Sequence, residues 1–154
     1  MNTSHKFLNV DLPQSMLGKV VFGKMKASMK ELSKAMDTED MTMYEGVWGD
    51  MHVEYDVFKK RFDVSPLLKG LPNDRDPCPH WGIVVKGQAT IMYNGKTEVA
   101  KAGDAYYAPP GHTGTFEAGT ELWEFSPNDK LQKTMEVIMR NFETMSKKKI
   151  GSSN

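Results

Sequence analysis

The chain has 154 residues, enough for one domain with a real core and too short for two comfortable ones. Twenty basic and twenty acidic residues balance to a formal net charge of zero, which gives no broad surface for nucleic acid. A single cysteine, Cys78, excludes an intramolecular disulfide and fits a reducing compartment.

Residues 1–12 carry no period and read as a loose arm. From Pro13 to Asp37, Leu17, Val20, Val21, Met25, Met29 and Leu32 recur at steps of three and four, which predicts an amphipathic helix. The apolar patch at Met16-Leu17 and Val20-Val21-Phe22 is broken by Gly18 and Lys19 and is too short to span a bilayer. No secretory signal is visible, so a cytoplasmic protein that avoids membranes is expected.

The period then changes to two. Met51, Val53, Tyr55 and Val57 alternate with His52, Glu54, Asp56 and Phe58, a strand signature. Residues 61–79 hold five turn-forming prolines and glycines and predict a long loop. Short strands follow near 80–86, 88–93, 96–100, 104–108, 112–117 and 121–126. Asn94-Gly95 is a two-residue hairpin signal, because both turn positions must accept positive φ. Repeated short strands with glycine turns predict a sandwich or barrel. Leu131, Met135, Ile138, Phe142 and Met145 then make one apolar stripe, a last helix from about Asn128 to Lys147 capped by Asn128 or Asp129. The basic run Lys147-Lys148-Lys149 reads as a solvated tail. Twelve methionines are many for this length; Met25, Met29, Met36, Met135, Met139 and Met145 read as flexible core or dimer-contact side chains.

The strand unit from Pro79 to His112 carries a resemblance. Gly103, Pro109 and Gly111 stand in register with the second motif of the cupins, and Gly87 matches the last glycine of their first motif. The sequence therefore resembles a cupin over about residues 45–127. It is similar to a variant group with Pro79-His80-x-Gly82 and Pro109-Pro110-Gly111-His112, whose members mostly lack an assigned activity. The resemblance implies a mainly β protein with a single jelly-roll barrel over 45–127, and leaves the arm and helix over 1–44 and the helix and tail over 128–154 as additions to it. The family's three-His, one-Glu metal set is absent as written. His80 stands at the glutamate position, Asp74 and Asp76 stand at the His-x-His positions, and Gly114 takes the second histidine position with His112 two residues earlier.

His80 and His112 are the candidate pair, as ligands for zinc, iron, nickel or manganese or as acid–base groups near neutral pH. The alternative is that each is a core histidine bonding a loop backbone. Cys78 shares a face with His80 on an extended chain and is a candidate donor or nucleophile, or else a small buried thiol. Asp74 and Asp76 read as solvated turn residues. His52 is a third ligand if its strand face lines the barrel, although the alternating Met51, Val53, Tyr55 and Val57 argue that it faces away from the main core. Glu124, between Trp123 and Phe125, is the best carboxylate candidate for desolvation, or else an edge-strand glutamate in water, the reading preferred on sequence. Trp81, Tyr93 and Tyr106 offer aromatic surface for a flat or apolar ligand, with Tyr106 or Tyr93 a candidate acid.

The expectation is a small-molecule-binding cupin, with one divalent metal at His80 and His112. If it is an enzyme, the resemblance implies a metal-dependent dioxygenase or isomerase. Two alternatives stand beside it: a metal-free binding or sensing module, and a metal-free epimerase-like enzyme using histidine and tyrosine. A homodimer is compatible with all of them.

Overall fold

A computed structural model describes residues 25–151, with the side chains of 146–151 left aside. Ten strands and one helix follow in order: β1 Ser33–Asp37, β2 Met41–Trp48, β3 Met51–Phe58, β4 Phe62–Asp63, β5 His80–Lys86, β6 Gln88–Tyr93, β7 Lys96–Lys101, β8 Ala105–Ala108, β9 Thr113–Phe116, β10 Glu121–Pro127 and α1 Asn128–Gly151. They build two antiparallel sheets that face each other, one ordered β1-β2-β3-β10-β5-β8 and the other β4-β9-β6-β7. The neighbour order, with β10 between β3 and β5, is a jelly roll left open rather than closed into a barrel.

The strands over 80–127 fall where the turn signals put them. The β6–β7 hairpin turns on Asn94 and Gly95, at φ 49° and 75°, the left-handed pair that a tight two-residue loop needs. The sheets are joined by apolar side chains from both. Phe58 of β3 stacks on Phe116 of β9 at 4.3 Å, beside Met41 and the fully buried Leu122. Val84, Ala89 and Ala100 form a second cluster. Complete burial of a leucine such as Leu122 is worth about 1.5–3 kcal/mol.

The expected helix over Pro13–Asp37 needs correction in its described part. Residues 13–24 lie outside the described residues, as does the expected arm. Met29–Glu31 makes only a single 3-10 turn, closed by the Glu31 N–H donating to the Ser28 carbonyl and the Ser28 N–H donating to the Glu31 carboxylate. Ser33–Asp37 is a strand on the sheet edge. Pairing with β2 overrides the three-and-four spacing: Met36 lies opposite Met43, after a bulge at Lys34/Met36, and packs on the Met41–Phe58–Leu122 cluster. Met25 is fully exposed and Met36 extended, so neither serves a helix core. The sheet thus begins ahead of residue 45.

The segment between β4 and β5 is no plain loop. It turns through 3-10 segments at Ser65–Leu68 and Pro72–Asp74 and buries Leu67, Leu68 and Leu71. Helix α1 lies across it. The Asn141 amide donates to the carbonyls of Leu67 and Lys69, at 2.7 and 2.8 Å. No helix among the described residues is long and apolar enough to cross a membrane.

Candidate functional site

The inner face of the larger sheet is polar, and register explains its order. Glu45, Glu54, Glu124, Gly82 and Tyr106 stand directly opposite one another on β2, β3, β10, β5 and β8. The next row holds Val47, His52 and Ser126, and His80 reaches the Ser126 hydroxyl from β5. A strand pattern of period two therefore puts His52, Glu54 and Asp56 inward, while Tyr55 packs edge-on to Trp123 outside.

Gly82 is what lets Tyr106 join this row. A Cβ at position 82 would stand 2.1–2.4 Å from the Tyr106 ring and hydroxyl. The missing side chain gives the ring its path to Glu124, whose Oε2 accepts the Tyr106 hydroxyl at 2.6 Å.

The loop before β9 supplies the other half of the site. Asp76 and His112 form an isolated bridge, with the Asp76 N–H donating to the His112 carbonyl at 2.9 Å and the Gly111 N–H donating to the Asp76 carbonyl. Gly111, at φ 94°, makes the turn that this requires. Asp76, His80 and His112 are all buried, and one donor atom from each lies within 4.8 Å of the others. The two imidazoles meet edge to face at 5.0 Å.

The hydrogen bonds around them assign the ring nitrogens. His112 Nδ1–H donates to the Pro109 carbonyl at 2.8 Å, which leaves Nε2 with the lone pair. His80 Nδ1 lies 2.6 Å from Ser126 Oγ and 3.2 Å from Glu124 Oε1, and its Nε2 points to Asp76 Oδ2 at 3.3 Å. Each histidine thus spends Nδ1 on an oxygen of its support and turns Nε2 to the common point. That is how metal-ligating histidines are held. Two imidazoles and one carboxylate fit a divalent transition metal by donor chemistry.

Burial and charge divide the titrations. Burial opposes the charged form of His80, but Glu124 and Asp76 outweigh it and raise its pKa to about 9. His112 is lowered to about 4, by burial first and the His80 charge second. Glu124 and Asp56 are both raised by burial and by neighbouring carboxylates, Glu54 among them; for Glu124 the His80 charge works the other way.

A cavity of about 130 Å³ opens from this polar end. Glu54 and Asp56 also line it, and the rest of its wall is mostly apolar: Phe58, Phe116 and Ile91 from the sheets, and Met135, Ile138 and Phe142 from α1, which covers it. The volume is close to the ~150 Å³ of an apolar cavity that accepts benzene.

Of the residues singled out in sequence, the structure brings together His80, His112, Tyr106 and Glu124. Asp76, read as a solvated turn residue, is buried among them, whereas Asp74 stays exposed and binds the Gly70 N–H. His52 falls in a separate group with Glu45 and Glu54. Trp81 points to the outer face, 44% exposed and tilted against Tyr107. Tyr93, 41% exposed, ends β6 and does not line the cavity. Cys78 is buried with its thiol 3.5 Å from the Pro79 carbonyl, and burial, with Asp76 second, pushes its pKa up to about 12. It holds the loop instead, its N–H donating to Asp76 Oδ1 at 2.7 Å. Sequence reading missed Glu45, Glu54, Asp56 and Ser126 as site residues. The His52-x-Glu54-x-Asp56 alternation was the available signal for two of them.

Comparison with known proteins agrees with the architecture. Residues 74–126 match the family model of the AraC-like ligand binding domain. A protein of unknown function from Rhizobium leguminosarum bv. viciae 3841 superposes with TM-score 0.50 at 17% identity, covering 67% of this chain and 95% of the other. An RmlC-like cupin from Shewanella frigidimarina NCIMB 400 gives TM-score 0.48 at 16% identity, over 68% of this chain and 91% of that one. KdgF from Halomonas sp. gives 0.42 at 16%, over 60% and 84%. No curated protein sequence matches significantly.

Proposed function

We propose that this chain, a protein of the cupin superfamily, binds a small and mostly apolar organic molecule in the α1-covered cavity, through a divalent metal held by Asp76, His80 and His112. The observation that carries the proposal is the convergence of these three buried donors at the polar end of an otherwise apolar cavity. A bound ion would supply Lewis-acid polarisation of an oxygen on the ligand. The size of the cavity selects a ring or short chain, and its wall selects a ligand with one oxygen-bearing end, such as a carboxylate, hydroxyl or carbonyl. Three protein donors leave positions open for that oxygen. Met36, Met41, Met43, Met135 and Met139 give the wall an adaptable surface.

The chain's own groups manage charge. Ser126 and Glu124 hold the His80 ring, and Tyr106 holds Glu124. Glu124, raised by burial, is a carboxyl able to keep or release a proton beside the ligand. In an enzyme, that proton inventory suits dioxygenase or isomerase chemistry on a small acid or aromatic. A metal-free reading rests on the opposite shifts of the two histidines, which leave a cationic His80 next to a neutral His112, an acid–base pair of the isomerase kind.

Calorimetric titration of chelator-stripped protein with Mn²⁺, Fe²⁺, Ni²⁺ and Zn²⁺ separates the two. The metal reading expects binding that Asp76→Asn weakens and His80→Ala/His112→Ala abolishes at this site. Unchanged binding in the double variant would remove it and leave the metal-free reading. The expected homodimer is carried forward as part of the proposal: Trp81, Ile83, Val85 and Tyr107, each 44–51% exposed, give the outer sheet an apolar face for a second copy. Trp81→Lys/Tyr107→Lys should then halve the molar mass in solution, and a wild-type monomer would refute it.

A further inference from the structure

The second cluster on the same sheet has the makings of another site. Glu45, His52 and Glu54 are buried, and one donor atom from each lies within 4.8 Å of the others. His52 Nε2 is 3.0 Å from Glu54 Oε1 and 3.3 Å from Glu45 Oε2. Neither contact has hydrogen-bond geometry: both ring nitrogens of His52 and Oε1 of Glu45 are buried without a hydrogen-bond partner. His52 is 2% exposed, so water does not reach it freely. His52 Nε2 lies between two carboxylate oxygens, while His52 Nδ1 and Glu45 Oε1 are buried with no hydrogen-bond partner, an arrangement a native interior seldom leaves unfilled.

The spacing suits an ion. Donors held about 2.0–2.2 Å from a tetrahedral or octahedral metal lie roughly 2.9–3.5 Å from one another. Both His52–glutamate separations fall in that range. A hollow of about 60 Å³ adjoins Glu45 and His52 between the sheet and α1, with Gln132 and Glu136 on its helical side. A water needs about 10–15 Å³ by such a measure, so an ion with its own water fits. Register makes the cluster: Glu45 and Glu54 are directly opposite on β2 and β3, and His52 is their diagonal neighbour. The cluster is distinct from the first. Glu45 and His52 border this hollow, Asp76, His80 and His112 border the larger cavity, and Glu54 lines the larger cavity while its carboxylate reaches His52.

We infer that Glu45, His52 and Glu54 form a second divalent transition-metal site, separate from the Asp76–His80–His112 centre and entered from between α1 and β2. One nitrogen and two carboxylates suit Zn²⁺, Mn²⁺ or Fe²⁺, and water completes the shell. Glu54 stands directly opposite Glu124, which touches His80, so two carboxylates separate the centres. The alternative occupant of the cluster is a proton: burial opposes a charged His52, but Glu45 and Glu54 outweigh it and raise its pKa to about 10.

The test is Zn²⁺ titration of chelator-stripped, 15N-histidine-labelled full-length protein, read by ring-nitrogen NMR. The inference expects a His52 nitrogen to move to a metal-bound shift in the wild type and in His80→Ala/His112→Ala. Glu45→Gln should weaken that response by more than the roughly 10–100-fold that loss of an outer-shell partner costs. A His52 ring that stays doubly protonated in excess Zn²⁺ in the wild type overturns it, with no variant required. The His80 and His112 resonances report on the first centre separately, so either site can fail alone.

Discussion

Replacing Gly82 by alanine tests whether Tyr106 is positioned by an absent side chain. The new Cβ would lie 2.1–2.4 Å from the Tyr106 ring and hydroxyl, where ordinary contact needs more than 3.4 Å, so the ring must move by over 1 Å. Moving it breaks the 2.6 Å bond to Glu124, one row from His80. Overpacking costs about 1–3 kcal/mol. A lost hydrogen bond to a carboxyl adds about 1–3 kcal/mol. Gly82→Ala should therefore destabilise by about 3 kcal/mol in urea unfolding. In a Tyr106→Ala background the collision is gone, and alanine's better fit to a strand leaves the change near zero or stabilising by about 0.5 kcal/mol. Equal destabilisation in both backgrounds would refute the reasoning, because some contact other than Tyr106 would then be responsible.

Further outcomes follow from the same geometry. In metal-free protein, His80 stabilises below its unfolded value of 6.5, and that contribution is lost as pH rises through about 9. His112 acts oppositely: its neutral form is favoured in the fold, and stability falls as pH drops from 6.5 toward about 4. Each is worth on the order of 3 kcal/mol, so the stability difference between the wild type and His80→Ala/His112→Ala should peak near pH 6.5; a monotonic difference profile would contradict the assignment. Metal uptake at His80 displaces its proton, so affinity should rise about tenfold per pH unit up to about pH 9; flat calorimetric affinities would exclude His80 as a ligand. Asn141→Ala removes both side-chain ties of α1 to the Leu67–Lys69 turn. It should cost about 1–3 kcal/mol and speed hydrogen exchange in α1 over the cavity. Cys78 should resist iodoacetamide at pH 8 until the protein unfolds; rapid native labelling would show that its thiol is not buried as described.

The legible parts of this chain are those where local chemistry decides structure. Asn94-Gly95 fixes the β6–β7 hairpin, and Leu131, Met135, Ile138 and Phe142 fix the α1 face that covers the cavity. Strand alternation already separates His80, Gly82 and Val84 from Trp81 and Ile83, so Trp81 on the outer face follows from the same rule that puts His80 inside. What stayed hidden depends on partners distant in sequence. Asp76 is buried only because its backbone bridges to His112, thirty-six positions on, and no local signal marks that. The row Glu45–Glu54–Glu124 exists through the register of three strands, with β10 inserted between β3 and β5. β1 misled because Leu32 and its predecessors fit a helix period, while the free edge of β2 was invisible.

The most direct measurement is anomalous diffraction from crystals grown with Co²⁺ or Mn²⁺, recorded at the metal absorption edge. The account predicts a peak within coordination distance of Asp76, His80 Nε2 and His112 Nε2, at the polar end of the α1-covered cavity. A well-ordered Asp76–His80–His112 cluster without an anomalous peak, at millimolar metal and neutral pH, would contradict it and leave the pair of histidines as an acid–base device.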